Sequence, residues 1–423
     1  MTPLQIAAIA IFAGVMVLIV SERVHRTLAA LLGAVIVMAT GIVPFESSLE
    51  HIDFNTLGVL VGMMLFVAVM KRSGVFEYVA IKAAKWAKGD PWLIMVALVL
   101  ITAVLSALLD NVTTVLLIGP MTFMICRELH LNPVPFFITQ ILASNIGGTA
   151  TLIGDPPNIM IGSEAGLTFM DFVAIDGPIV VVVLAATILC FRFMYGRKMA
   201  VEQEYRESIM ELDENEAITS KSLFVKSIVM IVLVAIAFML HGVLHLESSV
   251  IALAAAALMM LIGRQDIEET ILGVEWSTIG FFAGLFIVVG GLVETGLIDM
   301  FAQFLVDATH GQVLIAILAI LVASAIISAI LDNIPFVATM IPVLLAMQGS
   351  GVDVEPLWWA LSLGACLGGN GTLIGASANV VLSGISNREG YPLTFIAYLK
   401  VGAPMMAMSI VLSGIYLALR FGL

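Results

Sequence analysis

Long apolar runs separated by short polar segments make up most of this chain of 423 residues. A run of about 17–25 apolar residues is long enough for a helix to cross a lipid bilayer. We place single crossings at 4–20, 27–43, 56–70, 134–163, 172–194, 222–241, 247–263, 277–294, 357–386 and 400–420. The pattern therefore predicts an all-α polytopic membrane protein with about ten transmembrane helices.

The two halves of the chain resemble each other in sequence. Three segment pairs match in the same order, at offsets of 222, 222 and 221: 53–74 with 275–296, SALLDNV (106–112) with SAILDNI (328–334), and GGTATLIGDPPN (147–158) with GGNGTLIGASAN (368–379). Because each half holds an odd number of crossings, the second half is inverted relative to the first. Inverted repeats are typical of secondary transporters, whose sites lie at the repeat interface.

We divide the chain into a first repeat at 1–196, a cytoplasmic linker at 197–222 and a second repeat at 223–423. All 18 Lys and Arg residues except Arg420 fall on one side of the predicted crossings, Arg197 and Lys198 of the linker among them. Basic loops stay in the cytoplasm. We therefore expect a bacterial inner-membrane protein with both termini in the periplasm.

The first candidate site is a pair of Asp-Asn tips, Asp110-Asn111 and Asp332-Asn333. Each tip lies between two apolar runs, which leaves two interpretations open. The pair is either the tight turn of an ordinary hairpin at the membrane surface, or the tip of a re-entrant hairpin that ends at mid-depth. The duplication favours a functional tip, since ionisable residues at membrane depth are costly and mark functional sites.

The second candidate site is a pair of glycine-rich breaks within the crossings at 134–163 and 357–386. In the first break, Pro156 and Pro157 remove two backbone donors, so a continuous helix cannot run through it. Unwound backbone at membrane depth is tolerated only where protein or a water-filled cavity satisfies it. We expect the breaks to free backbone carbonyls at four glycines: Gly148, Gly154, Gly369 and Gly375.

These motifs predict the residues that handle protons and substrate. Asp110 and Asp332 are the candidates for proton coupling, and Asp155 is a weaker one because its twin Ala376 cannot ionise. The candidates for substrate binding carry amide or hydroxyl groups: Asn111, Thr149, Thr151, Asn158, Asn333, Asn370, Thr372 and Asn379. The predicted site contains no Arg, Lys or His, which favours a neutral or cationic substrate over an oxyanion.

Composition limits the class of protein further. The chain is 61% hydrophobic and only 12% charged, so a large soluble domain is excluded. Cys126, Cys190 and Cys366 match no zinc or disulfide spacing. With no nucleophile–base pair or metal cluster in the pattern, we expect neither an enzyme nor a cofactor, and no nucleic acid as a partner.

The order of hairpin tip and glycine-rich broken helix, repeated once, resembles the ion transporter superfamily. GGTATLIGDPPNIMIG (147–162) and the paired Asp-Asn tips look like the branch of arsenite permeases, NhaD-type antiporters and the P protein. Sodium–dicarboxylate members carry Ser-Asn-Thr at both tips, whereas this chain has Asp-Asn-Val and Asp-Asn-Ile. The resemblance therefore implies the fold but argues against sodium-driven dicarboxylate uptake.

We predict a proton-coupled antiporter that exports arsenite and antimonite. The alternatives are a sodium/proton antiporter of the same superfamily and a P-protein-like permease for anions or organic solutes. The expected partners are a small inorganic substrate, protons and the lipid bilayer. The sequence leaves open a homodimer and the docking of an arsenical ATPase subunit.

Overall fold

The structure is a computed structural model that describes residues 1–21, 23–196, 199, 201–309 and 312–422. Arg197 and Lys198, which contributed to the orientation prediction, lie outside the described residues. The described part of the first half comprises ten helices, with a 3-10 turn at Leu49–His51: α1 Pro3–Ser21, α2 Arg26–Ala39, α3 Phe45–Ser48, α4 Phe54–Lys71, α5 Val75–Trp86, α6 Pro91–Leu108, α7 Asn111–Glu128, α8 Val134–Gly148, α9 Pro156–Ala165 and α10 Phe169–Met194.

The linker between the halves contains α11 (Gln203–Glu211) and a 3-10 turn at Glu214–Ala217. The described part of the second half follows the order of the first, with a 3-10 turn at Gly369–Gly371: α12 Lys221–Leu244, α13 Ser248–Gly263, α14 Ile267–Leu272, α15 Trp276–Glu294, α16 Leu297–Thr309, α17 Val313–Ile330, α18 Asn333–Gly349, α19 Glu355–Gly368, α20 Ser377–Arg388 and α21 Phe395–Phe421.

Each helix of the first half has a counterpart about 222 residues later, from α1 with α12 to α10 with α21. The fold prediction of an all-α membrane protein with repeated hairpins and broken helices is confirmed. Eight of the described helices, including α6 and α17, are long and apolar enough to cross a membrane. The exact repeat and linker boundaries stay a prediction.

Packing between the helices repeats the same symmetry. Helix α4 packs along α13, and its counterpart α15 packs along α2, so each pair joins one half to the other. Helix α6 packs along α8 and α17 along α19, so each hairpin lies against the broken helix of its own half. Small residues allow the helix backbones to approach closely. At Gly62 of α4, for example, an added Cβ atom would lie only 2.5 Å from the Ala252 carbonyl carbon of α13.

Local chemistry explains where the hairpins turn. Helix α6 begins with Pro91 after Asp90, whose carboxylate accepts from the Leu93 N–H at 3.0 Å. It ends before Leu109, which is extended, and Asp110 then caps the start of α7. Leu331 and Asp332 do the same between α17 and α18. The Asp-Asn pairs are therefore both the turns of the hairpins and the caps of their returning helices.

The linker docks on the amphipathic helix α5. The Lys85 ammonium lies 2.6 Å from Glu214 Oε2 and donates to the Leu212 carbonyl at 2.9 Å. Its hydrogen bond and positive charge hold the pKa of the Glu214 carboxyl below its usual value. This contact gives the polar linker a fixed place on the first half of the molecule.

Candidate ion and substrate site

One small cavity is lined by residues from both hairpin tips and from both helix breaks. Its volume is ≈ 20 Å³, which leaves room for about one water molecule. The polar residues of its wall are Arg26, Asp110, Asn111, Asp155, Glu275, Thr278, Asn333 and Ser377. Two turns at opposite membrane surfaces could not line one cavity, so the re-entrant interpretation of the hairpins is the one that the structure supports.

The first tip is held by its own helix. Asp110 is only 6% exposed. Its Oδ1 accepts from the Thr113 N–H at 2.8 Å, and its Oδ2 accepts from the Thr113 hydroxyl. Asn111 donates to Asn145 Oδ1 at 3.4 Å. The carboxylate therefore caps helix α7 and at the same time forms part of the cavity wall.

The second tip carries an ion pair, which the first tip does not have among the described residues. Asp332 Oδ2 accepts from Arg26 Nη1 at 2.9 Å and from the Ser377 hydroxyl at 3.0 Å. Its Oδ1 faces the Ile334 N–H at 3.3 Å. Arg26 also reaches Thr278 Oγ1 at 3.4 Å, which places this cation between helices of both halves.

The prediction that the site contains no Arg, Lys or His is wrong, because Arg26 lies in the cavity wall. The distribution of basic residues between the predicted crossings assigned Arg26 to a loop. A signal was nevertheless present: Arg26 is the first residue of α2, and a cation is disfavoured at a helix N-terminus unless an anion lies nearby. The paired carboxylate of Asp332 is that anion.

Asp155 connects the two halves at the cavity. It is fully buried, and the Asn333 side-chain amide lies 3.3 Å and 3.5 Å from its two carboxylate oxygens. Asn333 belongs to the second tip and Asp155 to the first break. Asp155, the weakest of the three predicted proton carriers, thus contacts the opposite repeat directly, as Asp332 does through Arg26.

In each break, one asparagine binds the backbone that the helix releases. Asn158 Nδ2 donates to the carbonyls of Thr149 (3.2 Å) and Thr151 (3.0 Å). Its twin Asn379 donates to the carbonyls of Gly369 (2.8 Å) and Thr372 (2.9 Å). These four carbonyls therefore have protein donors in this conformation, as buried backbone groups require. Of the four predicted glycines, Gly369 is the one whose carbonyl is bound in this way.

The threonines of the breaks bind the hairpins. Thr151 donates to the Ala107 carbonyl, and its twin Thr372 donates to the Ala329 carbonyl. Thr149 donates to the Asn145 carbonyl one turn back at 2.7 Å. The hydroxyls of Thr151 and Thr372 thus fix each break against the tip of the hairpin beside it, whereas that of Thr149 bonds its own helix.

Of the predicted residues, Asp110, Asn111, Asp155 and Asn333 line the cavity, and Asp332 borders it through Arg26 and Ser377. The structure places the remaining candidates behind the wall, where they bind other protein groups. Their role as substrate ligands stays a prediction: Thr149, Thr151, Asn158, Asn370, Thr372 and Asn379.

Sequence reasoning missed Asn145, which joins these groups. This fully buried amide accepts from Asn111 and donates to Asn370 Oδ1 and Asn379 Oδ1, both at 2.9 Å. It therefore links the first tip to the second break. An asparagine within the apolar run of α8 was the available signal, since an unpaired amide is costly to bury in an apolar environment.

The four predicted break glycines are packed against backbone. A Cβ on Gly154 would lie 2.5 Å from the Ser106 carbonyl oxygen and 2.6 Å from that of Gly148. A Cβ on Gly375 would lie 2.7 Å from the Gly369 carbonyl oxygen. The breaks can approach the hairpins because these positions have no side chain.

We expect Gly154→Ala to impair both stability and transport. The added methyl group meets backbone oxygens that have no rotamer to change, and overpacking of this kind costs about 1–3 kcal/mol. Thermal unfolding in detergent and transport in vesicles measure the two effects. Gly177→Ala on α10 is the matched control, since a Cβ there meets no described atom within 4 Å. Equal behaviour of the two variants would contradict the close packing of the break.

Comparisons with known proteins agree with this architecture. A crystal structure of the YdaH transporter from Alcanivorax borkumensis superposes with a TM-score of 0.64, covering 89% of this chain and 88% of that one. The sequences are only 16% identical, so this likeness concerns the fold alone.

Sequence relatives are closer. An uncharacterized transporter of Mycobacterium tuberculosis is 46% identical over 99% of both chains, and a 46 kDa membrane protein of Mycobacterium leprae is 43% identical over 99% of both. The human P protein is 35% identical over 97% of this chain and 59% of its own length. Residues 16–364 match the CitMHS family, described as citrate transporter. The chain is an integral membrane transporter that belongs to the CitMHS family, within the superfamily of the arsenite permeases and the P protein.

Proposed function

We propose that this transporter is a proton-coupled antiporter that exports arsenite and antimonite. The observation that carries the proposal is the convergence of carboxylates from both repeats on one cavity. Asp110 and Asp155 line it and Asp332 borders it. A carboxylate at membrane depth is costly and is retained where it carries protons or binds a substrate.

The charge of the cavity wall favours a neutral or cationic substrate. Asp110, Asp155 and Glu275 are acidic wall residues, whereas Arg26 is the basic one among the residues described there. Because Arg26 is already paired with Asp332, its charge is largely compensated. A multiply charged anion such as citrate would meet like charges, which costs binding energy. Arsenous acid, neutral at physiological pH, carries three hydroxyls that can donate to carboxylates.

The hydrogen bonds of the tips indicate how a proton and a substrate could compete. Each carboxylate is bonded to a different donor: Asp110 to Thr113, Asp155 to Asn333, and Asp332 to Arg26. A substrate hydroxyl that donates to one of these carboxylates competes with a proton for the same oxygen. Such competition at one site is sufficient for exchange in an alternating-access transporter.

Sodium/proton antiport is the second candidate, because a cluster of carboxylates also attracts a cation. Transport of an organic anion is the third, and Arg26 in the wall and the family description as citrate transporter are the observations in its favour. In all three cases we place the chain in a bacterial inner membrane with both termini in the periplasm. A reporter enzyme that needs the periplasm should therefore be active when fused to the C-terminus.

The proposal is tested in everted membrane vesicles with an imposed pH gradient, acidic inside. We expect the vesicles to accumulate arsenite and to lose it again when an ionophore collapses the gradient. Sodium and citrate are measured under the same conditions, and vesicles with the Asp110→Asn/Asp332→Asn double variant are the control. Accumulation of sodium or citrate without arsenite would overturn the proposed substrate and select one of the alternatives.

A further inference from the structure

A third buried carboxylate, Asp176, lies outside the cavity. Asp176, on helix α10, is fully buried, and its Oδ1 has no hydrogen-bond partner among the described residues. Its Oδ2 is 2.6 Å from the hydroxyl of Ser362 on α19, which is also fully buried. The same hydroxyl oxygen is 2.8 Å from Asn158 Oδ1. Ser362 thus lies between two oxygen atoms of neighbouring side chains.

The orientation of Asn158 is determined by the helix break. Its Nδ2 donates to the carbonyls of Thr149 and Thr151, so its Oδ1 faces Ser362 and can only accept. Cys366, whose Sγ lies 3.4 Å from Oδ1, is a further donor to this oxygen. If the Asn158 amide were flipped, its oxygen would face the Thr149 and Thr151 carbonyls and its NH₂ would face the Ser362 hydroxyl and the Cys366 thiol.

Counting protons determines the state of Asp176. A serine hydroxyl has one proton to donate. If Asp176 were ionised, Ser362 would face two acceptors and could bond only one of them, leaving the other at a repulsive distance. If Asp176 holds a proton, it donates to Ser362, and Ser362 donates to Asn158. Both contacts are then hydrogen bonds.

Among the described residues, no cation donates a hydrogen bond to Asp176, and the positive charge of Arg420 acts on it only through space. Arg420 of α21 donates to the Tyr416 hydroxyl at 3.0 Å, and Tyr416 in turn bonds the Ile175 carbonyl. His241 of α12 accepts from the Phe169 N–H, two turns before Asp176. Helix α8 has no ionisable side chain. A buried carboxylate without a bonded cation is strongly disfavoured as an anion.

We propose that Asp176 is a proton-carrying positioning residue. As a neutral acid it donates to Ser362, and Ser362 holds Asn158 across the first helix break. Loss of this proton leaves Ser362 with two acceptors, so that Asn158 loses the hydrogen bond from Ser362 and the break is held less firmly. Asp176 is then a second protonation site, separate from the cavity, that controls the shape of the first repeat.

The second repeat is built differently at the equivalent place. Asn379, the twin of Asn158, is held by Asn145 Nδ2 at 2.9 Å. An amide cannot change its protonation state in the physiological range. Proton-dependent support of the break asparagine is therefore proposed for the first break alone, which makes the two breaks unequal although their sequence motifs match.

Infrared spectroscopy of the purified protein at neutral pH tests the proposal without any knowledge of the substrate. The difference spectrum of wild type and Asp176→Asn should show the loss of one carbonyl band of a protonated carboxylic acid. Asp307→Asn, at an exposed position, should remove an ionised carboxylate band instead. Loss of an ionised carboxylate band in Asp176→Asn would overturn the proposal.

Thermal unfolding provides the second measurement. The side-chain amide that Asp176→Asn introduces can donate to Ser362 as the neutral acid does, so this variant should retain the wild-type Tm, whereas Asp176→Ala should lower it by several degrees. Wild type should lose stability relative to Asp176→Asn as pH rises, because the native state keeps a proton that the unfolded chain has released. Equal destabilisation by both substitutions would mean that the ionised carboxylate is the form needed.

Discussion

Proton-driven export should fall to background when Asp110 or Asp332 is replaced by asparagine, while substrate binding remains measurable. Asparagine keeps the shape of the side chain and its hydrogen-bonding capacity but cannot carry a proton. It is also as good an N-cap as aspartate, so helices α7 and α18 should still begin at the same residues. The expected defect is therefore in coupling rather than in folding.

The two substitutions should differ in their side effects. Asp110 accepts two hydrogen bonds from Thr113, whose N–H and hydroxyl can also donate to an amide oxygen. Asp332 neutralises Arg26, so Asp332→Asn leaves a cation without its partner and should lower thermal stability as well. Asp110→Asn is consequently the cleaner test of proton coupling.

Uphill export in vesicles and substrate-induced thermal stabilisation in detergent are the measurements. Asp307→Asn, exposed on α16, is the control for removal of a carboxylate elsewhere. If both single variants and the double variant still export against the gradient, the tips do not carry the protons. Asp155, which lines the same cavity, would then be the next residue to replace.

Symmetry in the sequence made much of the fold and part of the site predictable. The repeated Asp-Asn tips and glycine-rich breaks have a single geometric role in each half, so a pattern in one half supports the same assignment in the other. Asp110 and Asn333 were found in this way, and both lie in the cavity wall. The two halves share the helix order that the repeat implied.

Because the sequence analysis relied on matches between the two halves, it missed site residues whose counterpart in the other half has different chemistry. Asn145 aligns with Cys366, Arg26 with Ser248, and neither pair matches in chemistry. Asn145 bonds across the repeats, and Arg26 approaches the opposite repeat from the start of α2. Such contacts depend on how the two halves are packed together, which internal similarity does not reveal. The site is therefore less symmetric than the sequence that builds it.

Arg26→Gln should abolish export and destabilise the protein. Arg26 belongs to the first repeat, yet its guanidinium bonds Asp332, Ser377 and Thr278, which lie at or next to the starts of three helices of the second. It also lies 5.2 Å from the centre of the Phe281 ring. Removing one partner of a buried ion pair costs about 3–5 kcal/mol. The Arg26 side chain is 27% exposed, so solvent should reduce this to about 1–3 kcal/mol.

The functional argument for Arg26 comes from its partner. A proton on Asp332 removes the negative charge that holds Arg26, and with it a strong contact between the repeats at the cavity. Protonation and the relative position of the repeats are thereby linked through one ion pair. In Arg26→Gln this link is absent in every state, so a proton gradient should no longer drive export even where the folded protein is recovered.

A double-mutant cycle separates the two effects. Arg26→Gln/Asp332→Asn leaves no unpaired charge, so it should be more stable than the sum of the single losses predicts, while export stays at background. Arg23→Gln, on the exposed segment just before α2, is the control for loss of a nearby cation. Additive losses of stability would show that the ion pair contributes little, and export by the double variant would show that the repeats are coupled to protons by another route.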